Sequence, residues 1–196
     1  MEFLEHPFME LPVYLIGYMG AGKSTVGRMV AERLGWHFVD LDAAFAEIYG
    51  MSTADYIRQY GVEAFRKREK DCVESLSELP IQKVIYATGG GYPCWEDNMD
   101  CLLELGTSVY LRWTNKHLAD RLWLTDLNER PILQAKTKEE LDKFVAWQMS
   151  GREEYYSRAN YTIEVADLIG KEIDAGDDAK VAEAVYELIS QLTIKH

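Results

Sequence analysis

The sequence predicts an α/β fold in three layers, in which a central five-stranded parallel sheet carries helices on both faces. A glycine-rich loop, 17–24, lies between an apolar run and a helical pattern. Five short apolar runs alternate with helical patterns along the chain, which is typical of parallel sheets covered by helices. Ligands bind such sheets beyond the carboxyl ends of the strands. The loop and two further motifs follow strands, so we expect them to form one site.

The strands are predicted from short runs rich in β-branched and aromatic residues. They are 11–16, 36–39, 83–87, 108–111 and 161–165. Apolar residues spaced three and four apart predict helices between them. These begin at Ser24 and end at a glycine cap, Gly35, and then cover 43–60 with a break near Gly50, 61–79, 96–105, 115–124, 138–157 and 179–192. We expect a solvated loop at 170–178.

Length and composition indicate one globular domain, 11–196, after an N-terminal tail, 1–10. The net charge of −12 argues against a nucleic-acid partner, and it requires local arginines to hold an anionic substrate. Three cysteines without metal or disulfide spacing fit small core residues and a reducing, cytoplasmic location. We expect no signal peptide, no membrane span and a monomer.

The loop Gly17-Tyr18-Met19-Gly20-Ala21-Gly22-Lys23-Ser24 has the spacing of a phosphate-binding loop, with the strand before it and the helix after it that this function requires. Its backbone N–H groups and the helix N-terminus favour a bound anion. Lys23 is predicted to reach the β- and γ-phosphates and the Ser24 hydroxyl to bind Mg²⁺. The alternative is a glycine turn with an exposed lysine.

Two acids, Asp40 and Asp42, follow the second strand. If they alternate along an extended segment, their side chains point to opposite sides and take different roles. One would support the metal through water and the other would accept a proton from an acceptor hydroxyl. The alternative is that both cap the next helix.

Arg66 and Glu69 lie three apart on one helix, so Glu69 would orient the Arg66 guanidinium toward a carboxylate or phosphate. The alternative is an exposed surface ion pair. The glycine triplet 89–91 follows the third strand, where backbone N–H groups can approach a ligand closely. Its alternative is a flexible turn.

Three further arginines are candidates for anion or base contacts. Arg130, on a mobile polar segment, would cover the transferring phosphoryl group, or would be a solvated loop charge. Arg121 would stack on an adenine face or only line its helix. Arg152 would bind an anionic group of the acceptor or favour a helix C-terminus electrostatically.

Together these residues resemble the shikimate kinase family. The matching motifs run in order over about 11–165: GYMGAGKSTVG, DLD, FRKRE, ATGGG, ERPIL, and RxxxY followed by NYTI. The resemblance implies a P-loop kinase fold with a mobile lid at about 123–138. It also implies transfer of the γ-phosphate of ATP, with Mg²⁺ as cofactor, to the 3-hydroxyl of shikimate in aromatic amino acid biosynthesis.

The resemblance also implies the roles of individual residues. The nucleotide-binding set is Gly20, Ala21, Gly22, Lys23, Ser24, Thr25, Arg121 and Arg130. The shikimate-binding set is Asp42, Arg66, Gly89, Gly90, Gly91 and Arg152. The catalytic set is Asp42, Lys23 and Arg130, and the metal set is Ser24 and Asp40.

Two features depart from the family pattern: Arg121 and Arg130 are nine residues apart, and the segment after the fifth strand, 166–178, is long. The residues that cover the adenine are therefore left open. A gluconate or nucleoside-monophosphate kinase, or a nucleotide-binding regulator without catalysis, is the alternative function.

Overall fold

The computed structural model of the chain describes residues 12–79, 83–124 and 137–194. The strands are β1 (Val13–Ile16), β2 (His37–Asp40), β3 (Val84–Ala87), β4 (Thr107–Arg112) and β5 (Tyr161–Glu164). The helices are α1 (Lys23–Leu34), α2 (Leu41–Tyr49), α3 (Thr53–Tyr60), α4 (Val62–Ser77), α5 (Asn98–Leu105), α6 (Asn115–Trp123), α7 (Lys138–Ser150), α8 (Glu153–Tyr156) and α9 (Asp177–Ile194). Short 3₁₀ helices occupy Tyr92–Cys94 and Val165–Asp167.

The five strands form one parallel sheet in the order β2-β3-β1-β4-β5. Every residue of β1 and β3 is buried. Because successive side chains of a strand point to opposite faces, this burial means that both faces of the sheet are covered. The edge strand β5 instead alternates between half-buried and exposed residues. The predicted α/β architecture with its five-stranded parallel sheet is confirmed.

The sheet register brings the ends of separate strands together. Asp40, the last residue of β2, lies beside Ala87, the last residue of β3. Ile16 ends β1 beside Tyr110 of β4. The glycine-rich loop, the acidic pair Asp40 and Asp42, and the glycine triplet therefore follow strand ends that lie at one edge of the sheet.

Local sequence explains several helix ends. Gly35 and Gly50 close α1 and α2 in the left-handed conformation, which glycine adopts without steric strain. The Ser52 hydroxyl caps α3 by accepting from the backbone N–H of Asp55, as the spacing of these two residues predicts.

Three predictions of local structure were wrong. The helix predicted over 138–157 is interrupted at Gly151, so that Arg152 lies between α7 and α8. α9 begins at Asp177, so the last two residues of the predicted loop 170–178 are helical. The segment after Asp40 is not extended, because α2 begins at the very next residue.

Within the described residues, no helix is both long enough and apolar enough to cross a membrane. All three cysteines lie in the described part of the chain and are free. Cys72 is buried, whereas Cys94 and Cys101 are half-buried.

Candidate active site

A cavity of about 1030 Å³ opens at the carboxyl ends of the strands. It collects nearly all of the predicted site residues that the structure describes: Gly20, Gly22, Lys23, Ser24, Thr25, Asp40, Asp42, Arg66, Gly89, Gly90, Gly91, Arg121 and Arg152. Ala21 is fully buried and does not line the cavity. Arg130 and most of the predicted lid lie outside the described residues.

The phosphate-binding loop wraps around the side chain of Lys23. The Nζ atom of Lys23 donates to the carbonyl oxygens of Gly17 at 2.8 Å and Tyr18 at 2.9 Å. Gly20 and Gly22 have φ angles of 81° and 80°, which side-chain-bearing residues rarely adopt. The ammonium group is thereby held inside the loop, at the N-terminus of α1.

Ser24 and Asp40 bring two oxygen donors together beside this loop. The Ser24 hydroxyl donates to Oδ2 of Asp40 at 2.5 Å. The other carboxylate oxygen, Oδ1, accepts from the backbone N–H groups of Asp42 and Ala43 and so caps α2. Asp40 therefore caps α2, as one of the two alternatives predicted, and its other carboxylate oxygen contacts Ser24 of the loop.

Asp42 lies in the first turn of α2, not in an extended segment. Its Oδ1 atom is 3.5 Å from the position that a Cβ on Gly89 would occupy. The two acids still differ in their surroundings, because Asp40 is tied to Ser24 whereas Asp42 is exposed and lines the cavity between α2 and the glycine triplet.

Arg66 and Glu69 form an ion pair on α4 that is not a surface pair. Their side chains are only 16% and 5% exposed. Burial raises the pKa of Glu69 to about 7; the Arg66 guanidinium opposes this rise and the nearby Asp42 carboxylate adds to it. The spacing alone could not reveal this burial, which holds the Arg66 guanidinium at the cavity wall.

Because the glycine triplet has no Cβ atoms, neighbouring side chains and backbone can pack directly against it. A Cβ on Gly91 would overlap the Arg66 guanidinium, and one on Gly89 would lie 2.5 Å from Oε1 of Glu69. A Cβ on Gly90 would lie 3.0 Å from the backbone nitrogen of Met19. The triplet is therefore a packed junction with α4 and the phosphate-binding loop, and not a loose turn.

Arg152 also contacts the glycine triplet. Its Nη1 atom donates to the Gly90 carbonyl at 3.4 Å, and its guanidinium lies 5.2 Å from the centre of the Tyr18 ring. Tyr156 also donates to the Gly90 carbonyl. Arg66 and Arg152, two of the arginines that line the cavity, thus both lie beside the glycine triplet.

Sequence reasoning missed one wall of the cavity, which α3 forms. Thr53, Ala54 and Ile57 line the cavity, yet no residue of α3 is buried in the protein core. A helix that turns apolar residues toward a cavity gives the same sequence pattern as a helix that packs on a core, so the pattern could not separate the two.

Comparison with known proteins agrees with this geometry. A family model described as shikimate kinase matches residues 19–192. The chain belongs to the shikimate kinase family. A shikimate kinase from Parabacteroides distasonis is 37% identical over 157 residues, which cover 80% of this chain and 89% of the relative.

Two solved structures of the family have the same fold. The shikimate kinase from Bacteroides thetaiotaomicron gives a TM-score of 0.81 at 31% identity, over 92% of this chain and 99% of that one. The Acinetobacter baumannii enzyme in complex with shikimate gives 0.77 at 30% identity, over 94% and 96%. The shikimate kinase resemblance inferred from the motifs is confirmed.

Proposed function

We propose that this chain transfers the γ-phosphate of ATP to the 3-hydroxyl of shikimate, giving shikimate 3-phosphate and ADP, as its membership of the shikimate kinase family implies. The observation that carries the proposal is one cavity lined both by the phosphate-binding loop and by Arg66, Arg152 and Asp42. Such a cavity offers a phosphate site, two carboxylate-binding cations and a proton acceptor together.

The nucleotide end of the cavity is the loop that precedes α1. The backbone from Gly20 to Thr25 and the N-terminus of α1 hold the phosphates. Lys23 is already fixed at the loop carbonyls, and its ammonium neutralises charge that develops on the transferring group. Ordering this cation before ATP arrives reduces the reorganisation that the reaction requires.

Ser24 and Asp40 fit a Mg²⁺ site. Hydroxyl and carboxylate oxygens are ligands that Mg²⁺ prefers, and these two are in direct contact. Among the described residues, no group of three or more His, Cys, Asp or Glu side chains could hold a metal ion. Ser24 and Asp40 would therefore hold Mg²⁺ only together with the phosphates of bound ATP. When bound, Mg²⁺ neutralises the charge of the ATP phosphates.

The acceptor end is built around the glycine triplet. Arg66, oriented by Glu69, and Arg152 bind the carboxylate of shikimate from two sides. The Asp42 carboxylate, in the first turn of α2, accepts a hydrogen bond from the 3-hydroxyl of shikimate. It receives the proton of this hydroxyl as the phosphoryl group is transferred. Arg130 is proposed to cover the transferring group; it lies outside the described residues.

The direct test is ADP release from Mg·ATP with shikimate, gluconate, AMP or no acceptor in parallel. Release that depends on shikimate alone is the expected result. Release with gluconate or AMP would retain the fold and the phosphate site but refute the proposed acceptor pocket. ATP binding without turnover on any of these acceptors would instead favour a regulatory protein.

A further inference from the structure

One side of α6 and the residues just before it lies against the phosphate-binding loop. Trp113 lies just before α6, and Arg121 lies in the last turn of this helix. The indole Nε1 of Trp113 donates to the Ala21 carbonyl at 3.1 Å, and Nε of Arg121 donates to the Gly20 carbonyl at 2.7 Å. Both side chains are therefore fixed to the loop that holds the ATP phosphates.

The Arg121 guanidinium is held on one face and along its edges. Its Cζ atom lies 4.5 Å from the centre of the Trp113 ring. Its Nη2 atom donates to both carboxylate oxygens of Asp178, at 2.8 and 3.1 Å. The Arg121 and Asp178 side chains are only 18% and 23% exposed. An arginine with this many contacts has little rotamer freedom left.

Arg121 and its partner Asp178 both reach the cavity. Arg121 lines the cavity, whereas Trp113 is buried behind it. Ile173 and Ala175 line the cavity from the segment that leads into Asp178, so they lie at the same end of it. A flat cation facing apolar side chains forms a slot that suits an aromatic heterocycle.

The segment that supplies this apolar wall is itself anchored to α6. Nε2 of His117 lies 3.1 Å from the carbonyl oxygen of Lys171. Because a carbonyl oxygen only accepts, the His117 nitrogen must carry the proton and donate. This contact ties the long segment after β5 to the helix that carries Arg121.

On the basis of the proposed kinase function, we infer that Trp113 and Asp178 are positioning residues that hold Arg121 flat against the base of the bound nucleotide. Without a carboxylate partner, a cation beside the loop would be drawn toward the triphosphate. Asp178 opposes this movement, and Trp113 supports the guanidinium from behind.

The closeness of Asp178 to the loop depends on Gly22. A Cβ on Gly22 would lie 2.5 Å from Oδ1 of Asp178 and 3.2 Å from Nη2 of Arg121. Gly22 thus serves two purposes, since it provides the left-handed backbone of the loop and leaves room for the ion pair that faces the base.

The test compares the binding of Mg·ATP with that of magnesium tripolyphosphate, which has the phosphates but no base. Calorimetry without any acceptor measures both in the wild type and in D178A, D178E, W113L and W113F. We expect D178A and W113L to weaken ATP binding about tenfold, which corresponds to ~1.4 kcal/mol, and to leave tripolyphosphate binding unchanged. D178E and W113F, which keep the charge or the ring, should restore most of the ATP affinity.

The matched controls are D167A and W147L. Asp167 is an exposed acid in the segment after β5, and Trp147 of α7 is 70% exposed. Neither should change the binding of either ligand. Equal weakening of both ligands by D178A would overturn the inference, because Arg121 would then act on the phosphates. Tighter binding of both would show that Asp178 only repels phosphate, and unchanged ATP binding would exclude a positioning role.

This readout is separate from the proposed reaction. If ATP binds with the expected pattern but shikimate is not phosphorylated, the proposed function fails and the inference about the base stands. If shikimate is phosphorylated and the pattern is absent, only the inference fails.

Discussion

Asp42 is the residue whose chemistry the proposed reaction needs most, because the 3-hydroxyl must lose its proton. We predict that Asp42→Asn lowers kcat by about 100- to 10,000-fold, the range typical of a lost general base, with little change in ATP affinity. Steady-state kinetics with both substrates measures this. Glu47→Gln, an exposed acid later in α2, is the control and should leave kcat unchanged. Near-normal turnover in Asp42→Asn would refute the role of Asp42 as proton acceptor.

Glu69 should make stability depend on pH. The native protein holds the Glu69 proton up to a pKa of about 7, whereas the unfolded chain loses it near 4.5. The native state therefore binds more protons between these values, and the free energy of unfolding falls as the pH rises from 4.5 to 7. The decrease attributable to this group is on the order of 3 kcal/mol.

Denaturant titrations of the wild type and Glu69→Gln across this pH range measure the effect. The difference in unfolding free energy between the two should change with pH, since the glutamine does not titrate. Glu63→Gln, whose parent side chain is 73% exposed, should follow the wild type at every pH. A constant difference between the wild type and Glu69→Gln would show that Glu69 has no raised pKa.

For individual residues, the sequence predicted which side chains belong to the site and which of them pair, but not what surrounds them. The spacing of Arg66 and Glu69 predicted their contact, yet a surface pair has the same spacing. The contact of Arg121 with Asp178 joins residues 57 positions apart. No local pattern reports such a pair, and the sequence therefore left the neighbours of Arg121 open.

The glycine triplet is an element whose function depends on missing atoms. Gly91→Ala should displace the Arg66 guanidinium, because the added Cβ overlaps it. We predict that the KM for shikimate rises about tenfold or more, the equivalent of ~1.4 kcal/mol, while ATP binding is retained. Kinetics with each substrate varied in turn separates the two effects.

Gly170→Ala is the control for this substitution. It adds the same methyl group where the nearest atom, the Glu172 carbonyl oxygen, is 3.8 Å away. It should leave the shikimate KM unchanged. If Gly91→Ala behaves like this control, Arg66 does not depend on the space that Gly91 leaves.

Regular elements were predictable where periodicity is strong and less so at their ends. All five strands were found within one or two residues, because each is a short β-rich run between polar segments. The helix predicted over 138–157 failed at Gly151, where a glycine within a helical pattern gave no clear signal of a break. The start of α9 was predicted too late, because the polar residues Asp177 and Asp178 suggested a loop.

The whole molecule depends on the centre of its sheet. We predict that Ile85→Ala in β3, which is fully buried, lowers the free energy of unfolding by about 2–5 kcal/mol. Ile163→Ala removes the same atoms from the half-buried edge strand β5 and should cost clearly less. Urea denaturation with an unchanged slope measures both; equal losses would contradict the central role of β3.

The order of the strands also separates the residues proposed to bind the acceptor from those proposed to bind the nucleotide base. β1, which leads into the phosphate-binding loop, lies in the middle of the sheet, with β2 and β3 on one side and β4 and β5 on the other. Asp42, Arg66 and the glycine triplet follow β2 and β3, whereas the residues inferred to hold the base follow β4 and β5. Arg152 is the exception, because it lies between β4 and β5 in the chain but contacts the glycine triplet that follows β3.

In a molecule built this way, the specificity for the acceptor can change while the ATP site stays the same. New loops after β2 and β3, together with a new α3 wall, would present a different alcohol to an unchanged triphosphate. Both evolution and protein engineering can therefore change the acceptor specificity of this fold by altering the segments that follow β2 and β3.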